Sequence, residues 1–451
     1  MNYQLSIMNY QLKKYPKYKP SGIEWIGEIP EHWDLIRSKF KINYKKGKNP
    51  IELNSDGLGK VYLTMDYLRE NPKQVYYVKN YNDYVTVSEN SILLLWDGSN
   101  AGEFIKAKEG VLSSTMAVLI FNGIDENYIW YFLKAYERQL REFTIGMGIP
   151  HVNSEELKNQ IIILPPLPEQ TAIANFLDDK TAKIDSLIEK KKKLIELYKE
   201  ERTAVINHYV LGQHLIDNSQ LTIDNGQLTI DNGQLTINNG QLTINNYQLP
   251  KHWEVKKLKY VAKVNNENLS ENEDDDLLIN YIDISSVDSD GNIVSTTEYL
   301  YPKAPSRARR KLKSGDTILS TVRTYLKAIA FIDKAYDNLI CSTGFAVISP
   351  SEVFIPKFLF FNLRSNIVIE KIMANSKGVS YPAIDSEEIK FLYVWYPPKE
   401  EQQQIVEHIE FETKRIDDKI ARAEKEIELL QEYRTALINE VVTGKIKVID
   451  N

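Results

Sequence analysis

The residues best suited to chemistry in this chain are cations. SRARRKLKSGD (306–316) sets Arg307, Arg309, Arg310, Lys311 and Lys313 within seven residues, and STVRTYLK adds Arg323 and Lys327. A guanidinium forks onto two acceptors at once, as on a phosphate or a base edge, while an ammonium acts as a point charge. Earlier, NYKKGKNP offers Lys45, Lys46 and Lys48, and Lys79 lies among tyrosines in YVKNYNDY. Asn100 in WDGSNAG, His151 at the end of IGMGIPH, and Lys377 and Tyr381 in SKGVSYP sit in short glycine-containing stretches that read as loops. This set suits nucleic acid, with cations for phosphates and forked groups for base edges. A solvated charged surface is the plain alternative for each cluster. The net charge of −6 speaks against a general polyanion glue, though not against clustered contacts.

Catalytic frames are missing from the sequence. It contains no G-x-x-x-x-G-K-[ST] loop, no H-E-x-x-H and no C-x-x-C, so the common nucleotide and zinc frames are excluded. IGMGIP has two glycines and then a proline, which reads as a loop and not a dinucleotide fingerprint. The single cysteine, Cys341, lies in the apolar run CSTGFAVI and reads as a buried thiol. Glu155-Glu156 and Glu387-Glu388 follow Ser154 and Ser386; they read as first-turn acids behind serine N-caps. ENEDDD (271–276) lacks the spaced ligands of a calcium loop. No apolar run is long enough for a membrane span and the N-terminal stretch does not read as a signal peptide. The expectation is a cytoplasmic protein without a metal or cofactor of its own.

The elements that must carry these residues come in two copies. SEELK (154–158) returns as SEEIK (386–390), and ERTAVINHYVLG (201–212) as YRTALINEVVTG (433–444), both 232 residues on. IPEHWDLIRSKFK (29–41) returns as LPKHWEVKKLKYV (249–261) at 220. The interiors match thinly; LSSTMAVLI (112–120) against ICSTGFAVI (340–348) is the clearest piece. Each copy ends in a long amphipathic helix. Ile173, Leu177, Ile184, Ile188, Ile195 and Val205 repeat as Ile405, Ile409, Ile416, Ile420, Ile427 and Leu437, and steps of four and seven put them on one face. Prolines precede each helix, and Gly212 and Gly444 follow. A helix of about 40 residues is roughly 60 Å long and needs a partner along its length. The other copy, antiparallel, is the nearest; packing on its own domain is the alternative. The interiors read as mixed α and β: VYLTMDYL, QVYYVKNY and SILLLWDG as strands, ENYIWYFLKAYERQLREF (126–143) as a helix. In the second copy LLINYIDI, DTILSTVR, AIAFID and FAVIS read as strands, and VFIPKFLFFNLRSNIVIEKIMA as strand end plus helix.

Between the copies, SQLTIDNGQLTIDNGQLTINNGQLTINNYQLP (219–250) repeats a seven-residue unit, and the N-terminus carries a kindred NYQL. A flexible linker or a loose β-ribbon is expected. The resulting division is a repeat-like tail (1–19), a first domain (20–164), a first helix (165–212), the linker (213–249), a second domain (250–396), a second helix (397–444) and a tail (445–451).

KPSGIEWIGEIPEHW (19–33), PPLPEQTAIANFLDDKTAKIDSLI, PPKEEQQQIVEHIEFETKRIDDKI and RTALINEVVTGKI occur in that order. Together they resemble the specificity subunit of type I restriction-modification systems, over nearly the whole chain. The resemblance implies an α+β fold: two mixed α/β target-recognition domains separated by two long antiparallel helices, with an internal pseudo-two-fold repeat. It implies that each domain reads one half of a split, asymmetric DNA sequence and that the helices set the gap. Two modification subunits would bring S-adenosylmethionine and N6-adenine methyl transfer. Restriction subunits would bring ATP, Mg2+ and cleavage; the chain itself would be non-catalytic. The second half departs from the family in lacking the SGIEWIGEI lead-in. Some members vary the gap through central repeats. Here the repeats follow the helix end, so they are expected to tether the second domain without lengthening the ruler. The rival readings are a coiled-coil scaffold without DNA recognition and an enzyme with an unfamiliar site.

Overall fold

The computed structural model describes residues 13–146, 148–215, 235–238, 241–244, 247–270, 273–334, 338–378 and 381–448. Most of the N-terminal repeat and most of the linker repeats therefore lie outside the described residues. Within the linker, Leu235–Asn238 pairs antiparallel with Gln241–Ile244, a short ribbon. The chain divides into two compact units: residues up to 192 with those from 424 onward, and residues 193–423.

In the first unit a short ribbon pairs Tyr18–Pro20 with Glu28–Pro30, and the strands that follow are β1 (Asp34–Arg37), β2 (Ile42–Lys46), β3 (Lys60–Leu63), β4 (Tyr77–Val78), β5 (Thr86–Val87) and β6 (Ile92–Leu95). They continue with β7 (Phe104–Lys106), β8 (Gly110–Leu112) and β9 (Met116–Phe121). Helices α1 (Glu126–Glu142) and α2 (Ser154–Asn159), strand β10 (Ile161–Leu164) and the long helix α3 (Leu167–Val210) follow. One sheet runs β2-β9-β6-β7 and another β4-β3-β8-β5, with β3 and β8 parallel; β10 pairs β1. In the second unit come β11 (Glu254–Lys257), β12 (Ala262–Val264), β13 (Leu278–Ile282), β14 (Thr297–Leu300), β15 (Ala308–Lys311) and β16 (Thr317–Ser320). Then follow β17 (Ile329–Phe331), β18 (Leu339–Ser342), β19 (Phe345–Pro350), α4 (Pro356–Leu363), α5 (Asn366–Asn375), α6 (Ser386–Ile389), β20 (Tyr393–Tyr396) and α7 (Lys399–Val442). Its sheets run β12-β19-β16-β17 and β14-β13-β18-β15, with β13 and β18 parallel and β11 paired to β20. The two interiors thus share one topology strand for strand, although their sequences barely align.

Several local readings change. The N-caps of α2 and α6 are Asn153 and Asp385, one residue before the expected serines; their short side chains accept from the backbone N–H of Glu155 and Glu156, and of Glu387. VYLTMDYL is only half strand, because Thr64 caps a helical turn at Met65–Leu68. QVYYVKNY contributes only Tyr77–Val78 to a sheet. The helix expected after VFI is two helices: Pro356 opens α4, and Ser365 caps α5 through its hydroxyl.

Each long helix has 44 residues and serves both units. In the first unit Ile173, Leu177, Ile184 and Ile188 of α3 share one core with Leu437, Ile438, Val441 and Val442 of α7. In the second, Ile206 and Val210 of α3 share a core with Ile405, Val406 and Ile409 of α7. Ion pairs give the direction. Asp185 meets Arg434 at 2.9 Å and Lys191 meets Glu426 in the first unit; Arg202 meets Asp417 at 3.1 Å and Glu201 meets Lys419 at 3.5 Å in the second. Numbers rise on one helix as they fall on the other, so the pairing within each unit is antiparallel. Ile195 and Ile416 are buried, whereas Ile420 and Ile427 are half-buried. Val205 is half-buried too, and Ile206 takes the inward place. The buried stripe drifts there because the helix packs on a domain as well as on its partner helix. Both alternatives for the helix partner are therefore realised in each unit.

The start and end of each helix are fastened by repeated polar contacts. Glu169 accepts from the Tyr15 hydroxyl and contacts His32 Nε2 at 2.9 Å. Its counterpart Glu401 contacts His252 Nε2 at 2.7 Å and accepts from Trp253 Nε1 at 2.9 Å. Burial and the neighbouring carboxylate push the Tyr15 hydroxyl far above its ordinary pKa. Gln170 takes the backbone N–H of Asp125 at 2.9 Å, and Gln402 that of Ile355 at 2.7 Å, tying each long helix to the start of α1 or α4. At the other end Gly212 lies against Pro250 and Trp253, and Gly444 against Pro30 and Trp33. A Cβ on Gly212 would stand 2.5 Å from Pro250 Cγ, at φ +68°. Gly212→Ala is therefore expected to cost about 2–5 kcal/mol, left-handed strain and overpacking together, read as a lower urea midpoint. Gly22, at φ +73° in open space, supplies the control: alanine there should cost only about 1–2 kcal/mol of conformational strain.

Candidate nucleic-acid interface

In the second unit two loops meet. Residues 321–328 join β16 to β17, and residues 376–383 precede α6. Val322 and Lys377 both bridge to Ala383, and Arg323 N–H donates to the Pro382 carbonyl at 2.7 Å. The contact brings together Arg323, Lys327, Lys377 and Tyr381. Arg323 and Lys327 both take left-handed backbone, at φ +50° and +53°, a conformation that costs a non-glycine residue about 1–2 kcal/mol. They flank a turn whose Tyr325 is exposed. The Arg323 guanidinium lies 5.1 Å from the exposed Tyr381 ring. Arg323 and Lys327 have no ion-pair partner among the described residues, while Lys377 reaches Glu388 at 3.3 Å. Two strained cations on one loop are an outlier of the kind that clusters at binding sites.

The 307–313 cations are split up. Strand β15 is an edge strand with a register shift between Ala308 and Arg310. Arg307 is exposed, and Arg309 stacks over Tyr301 at 5.5 Å. Arg310 is turned inward: its Nε and one terminal nitrogen lack partners, and burial lowers its pKa. Lys311 meets Glu273 at 3.3 Å and Lys313 meets Glu267. The sequence cluster is not one cationic face, because two of its lysines are paired with carboxylates supplied by the 267–273 segment.

The first unit has the same loop pair with different chemistry. Residues 96–103 join β6 to β7, and His151 bridges to both Asp97 and Ile145. Asp97 takes His151 Nδ1 at 2.6 Å and Lys46 Nζ at 2.7 Å. Lys46 also lies 5.5 Å from the Trp96 ring. Asn100, half-buried, sits in this loop; Lys45 and Lys48 are exposed and without an ion pair among the described residues. Lys79 pairs with Asp56 at 2.9 Å just beyond β4, and so belongs to the other sheet. Ile145 and Ile149 are exposed on the glycine loop. The sequence reading missed Asp97 and Tyr325. Asp97 could have been found from its place in WDGSNAG, the counterpart of STVRTYLK; nothing local marks Tyr325.

A twice-built recognition module, with one framework and two different loop surfaces, is the class these features define. The chain belongs to the family described as type I restriction modification DNA specificity domain, which matches residues 30–197 and 250–429. It is 30% identical over 436 residues to the type I restriction enzyme MjaVIII specificity subunit of Methanocaldococcus jannaschii, covering 93% of this chain and 94% of that one. It is 35% identical over 119 residues to the HindI specificity subunit of Haemophilus influenzae, covering 26% and 25%. A solved chain, from work on complex assembly and conformational transition of the type I R-M system, shares the fold. Its TM-score is 0.56 at 13% identity, covering 92% of this chain and 98% of that one.

Asp97 provides a test of the first loop pair. Burial alone would raise its pKa, but the hydrogen bonds from Lys46 and His151 outweigh burial and hold it below the ordinary carboxylate value. A depressed folded-state pKa stabilises fully above the unfolded value and is lost as pH falls through the folded one. Asp97→Asn is expected to lower the urea midpoint at about pH 7, with the gap to wild type closing as pH falls below the ordinary carboxylate pKa.

Proposed function

We propose that the chain is the DNA-reading subunit of a type I restriction-modification complex. Each domain reads one half of a split, asymmetric target, and the paired helices set the spacing and dock two modification subunits. Restriction subunits join through that assembly. The observation that carries this reading is the pair of equivalent loop junctions. One framework presents Asp97, His151 and Lys46 in the first unit, and Arg323, Lys327 and Tyr381 in the second. A shared scaffold with divergent contact residues is what two different half-sites require, since base edges are read by particular side chains. A scaffold without DNA recognition finds no support among the relatives.

The chain supplies the address and the partners supply the reaction: S-adenosylmethionine for N6-adenine methylation, and ATP with Mg2+ for restriction, all bound on partner subunits in the cytoplasm. Arg307, Lys45 and Lys48 are assigned to the duplex as exposed cations, half-buried Arg309 as a cation stacked on Tyr301, and Asn100, Lys79 and Lys377 as subsidiary contacts. Lys311 and Lys313 remain assigned to that surface, weakened by pairing with Glu273 and Glu267, whereas inward-turned Arg310 supports strand β15 from within. The experiment is methylome sequencing of cells expressing the whole complex, with and without Arg323→Ala. The wild type is expected to give one split motif. The variant should weaken binding about 5- to 150-fold, the equivalent of roughly 1–3 kcal/mol, and relax bases in one half only. Relaxation in both halves, or in neither, contradicts the assignment.

A further inference from the structure

The module starts carry a second surface that the reading loops do not use. After β1, Ser38–Phe40 forms a tight turn; after β11, Leu258–Tyr260 forms the same turn. The backbone entering them is nearly identical, φ −67°, ψ 137° at Arg37 and φ −69°, ψ 141° at Lys257. Both are anchored alike: Ser38 N–H donates to Gln160 O at 2.7 Å and Leu258 N–H to Leu392 O at 2.8 Å. Each turn lifts one large aromatic residue into solvent, Phe40 at 66% and Tyr260 at 70% exposure. A lysine leans over each ring: Lys39 at 5.3 Å from Phe40, Lys259 at 4.9 Å from Tyr260.

The cations here lack the carboxylate partners that tie their neighbours. Lys158 and Lys390 are bound to Glu155 and Glu387, and Lys256 to Glu254. Arg37, Lys39, Lys257 and Lys259 have no carboxylate partner among the described residues, in a chain whose net charge is −6. Each turn packs on the short helix, α2 or α6, that follows the glycine loop of the reading junction. The turn sits at the C-terminal end of that helix and the glycine loop leads into its N-terminal end, so one short helix links the two.

We infer that these turns are backbone clamps: each grips the DNA phosphates beside its half-site, with the aromatic ring against deoxyribose. The inference rests on the DNA-reading function proposed above and assigns it a second, sequence-independent surface. Repetition points to the phosphodiester. The junction loops differ between the units, as base readers must, whereas the turns are alike, as contacts to an invariant backbone should be. At the second turn Lys257 and Lys259 also lie 5.5 and 4.6 Å from the exposed Phe391 ring; a protein partner still fits less well, because lysine is depleted where protein interfaces bury area.

The test compares the complex with its modification subunits against the same complex carrying Arg37→Ala, Lys39→Ala, Lys257→Ala and Lys259→Ala. Binding is measured over a range of KCl, on a duplex bearing the motif defined by methylome sequencing and on an unrelated duplex of equal length. The expected result is equal loss on both duplexes, with the slope of log K against log salt shallower by about 0.9 for each phosphate contact removed. The methylated sequence stays the same, and Lys39→Arg with Lys259→Arg keeps the wild-type slope. An unchanged slope overturns the inference, as does loss confined to the target duplex. Release of the modification subunits with the slope intact makes the turns a protein dock and also overturns it. Should the wild-type complex fail to distinguish the two duplexes, the half-site reading falls instead, and the slopes still report on the turns.

Discussion

The architecture depends on one junction, built twice: a glycine at a helix end pressed on a proline and a tryptophan. Gly212 meets Pro250 and Trp253, and Gly444 meets Pro30 and Trp33. No side chain fits there, and the backbone is left-handed, so glycine alone satisfies both demands. The junction makes each unit depend on a distant stretch of chain. The first unit is completed by residues from 424 onward, and the second begins at 193, inside the first long helix.

At the opposite end of each helix the Glu-Gln pair does complementary work. Glu169 and Glu401 collect the histidine of the module start, while Gln170 and Gln402 take the first free N–H groups of α1 and α4. A buried amide or carboxylate without partners would cost several kcal/mol. These side chains therefore fix the angle at which the helix leaves its domain. The loops at 96–103 and 321–328 join strands of this fastened framework and can change without disturbing it, which is how two dissimilar loop surfaces coexist on one topology.

The scaffold was legible in the sequence because it obeys local rules: apolar spacing of four and seven, prolines before each helix, glycine after. The shared interior topology was not. Its sheets are made of strands of two to six residues, and the parallel β3–β8 and β13–β18 pairings join segments far apart in sequence, leaving no periodic trace. The site was legible only in part. Arg323, Lys327, Lys377 and Tyr381 were picked as residue types, and the structure brings them together. The 307–313 run looked like one cationic face, yet Lys311 and Lys313 find Glu273 and Glu267 about 40 residues earlier, and Arg310 points inward. Charge pairing at that range has no local signature. The one-residue error at the caps of α2 and α6 arose because Asn153 and Asp385 compete with the adjacent serines for the same N–H groups.

The central claim is that each unit reads its own half of the target on a common framework. Exchange of residues 250–396 for the corresponding domain of a relative, followed by methylome sequencing of cells carrying the whole complex, tests it most directly. The account predicts a new motif in which one half changes and the other half is retained. A motif changed in both halves, or unchanged in both, would contradict it.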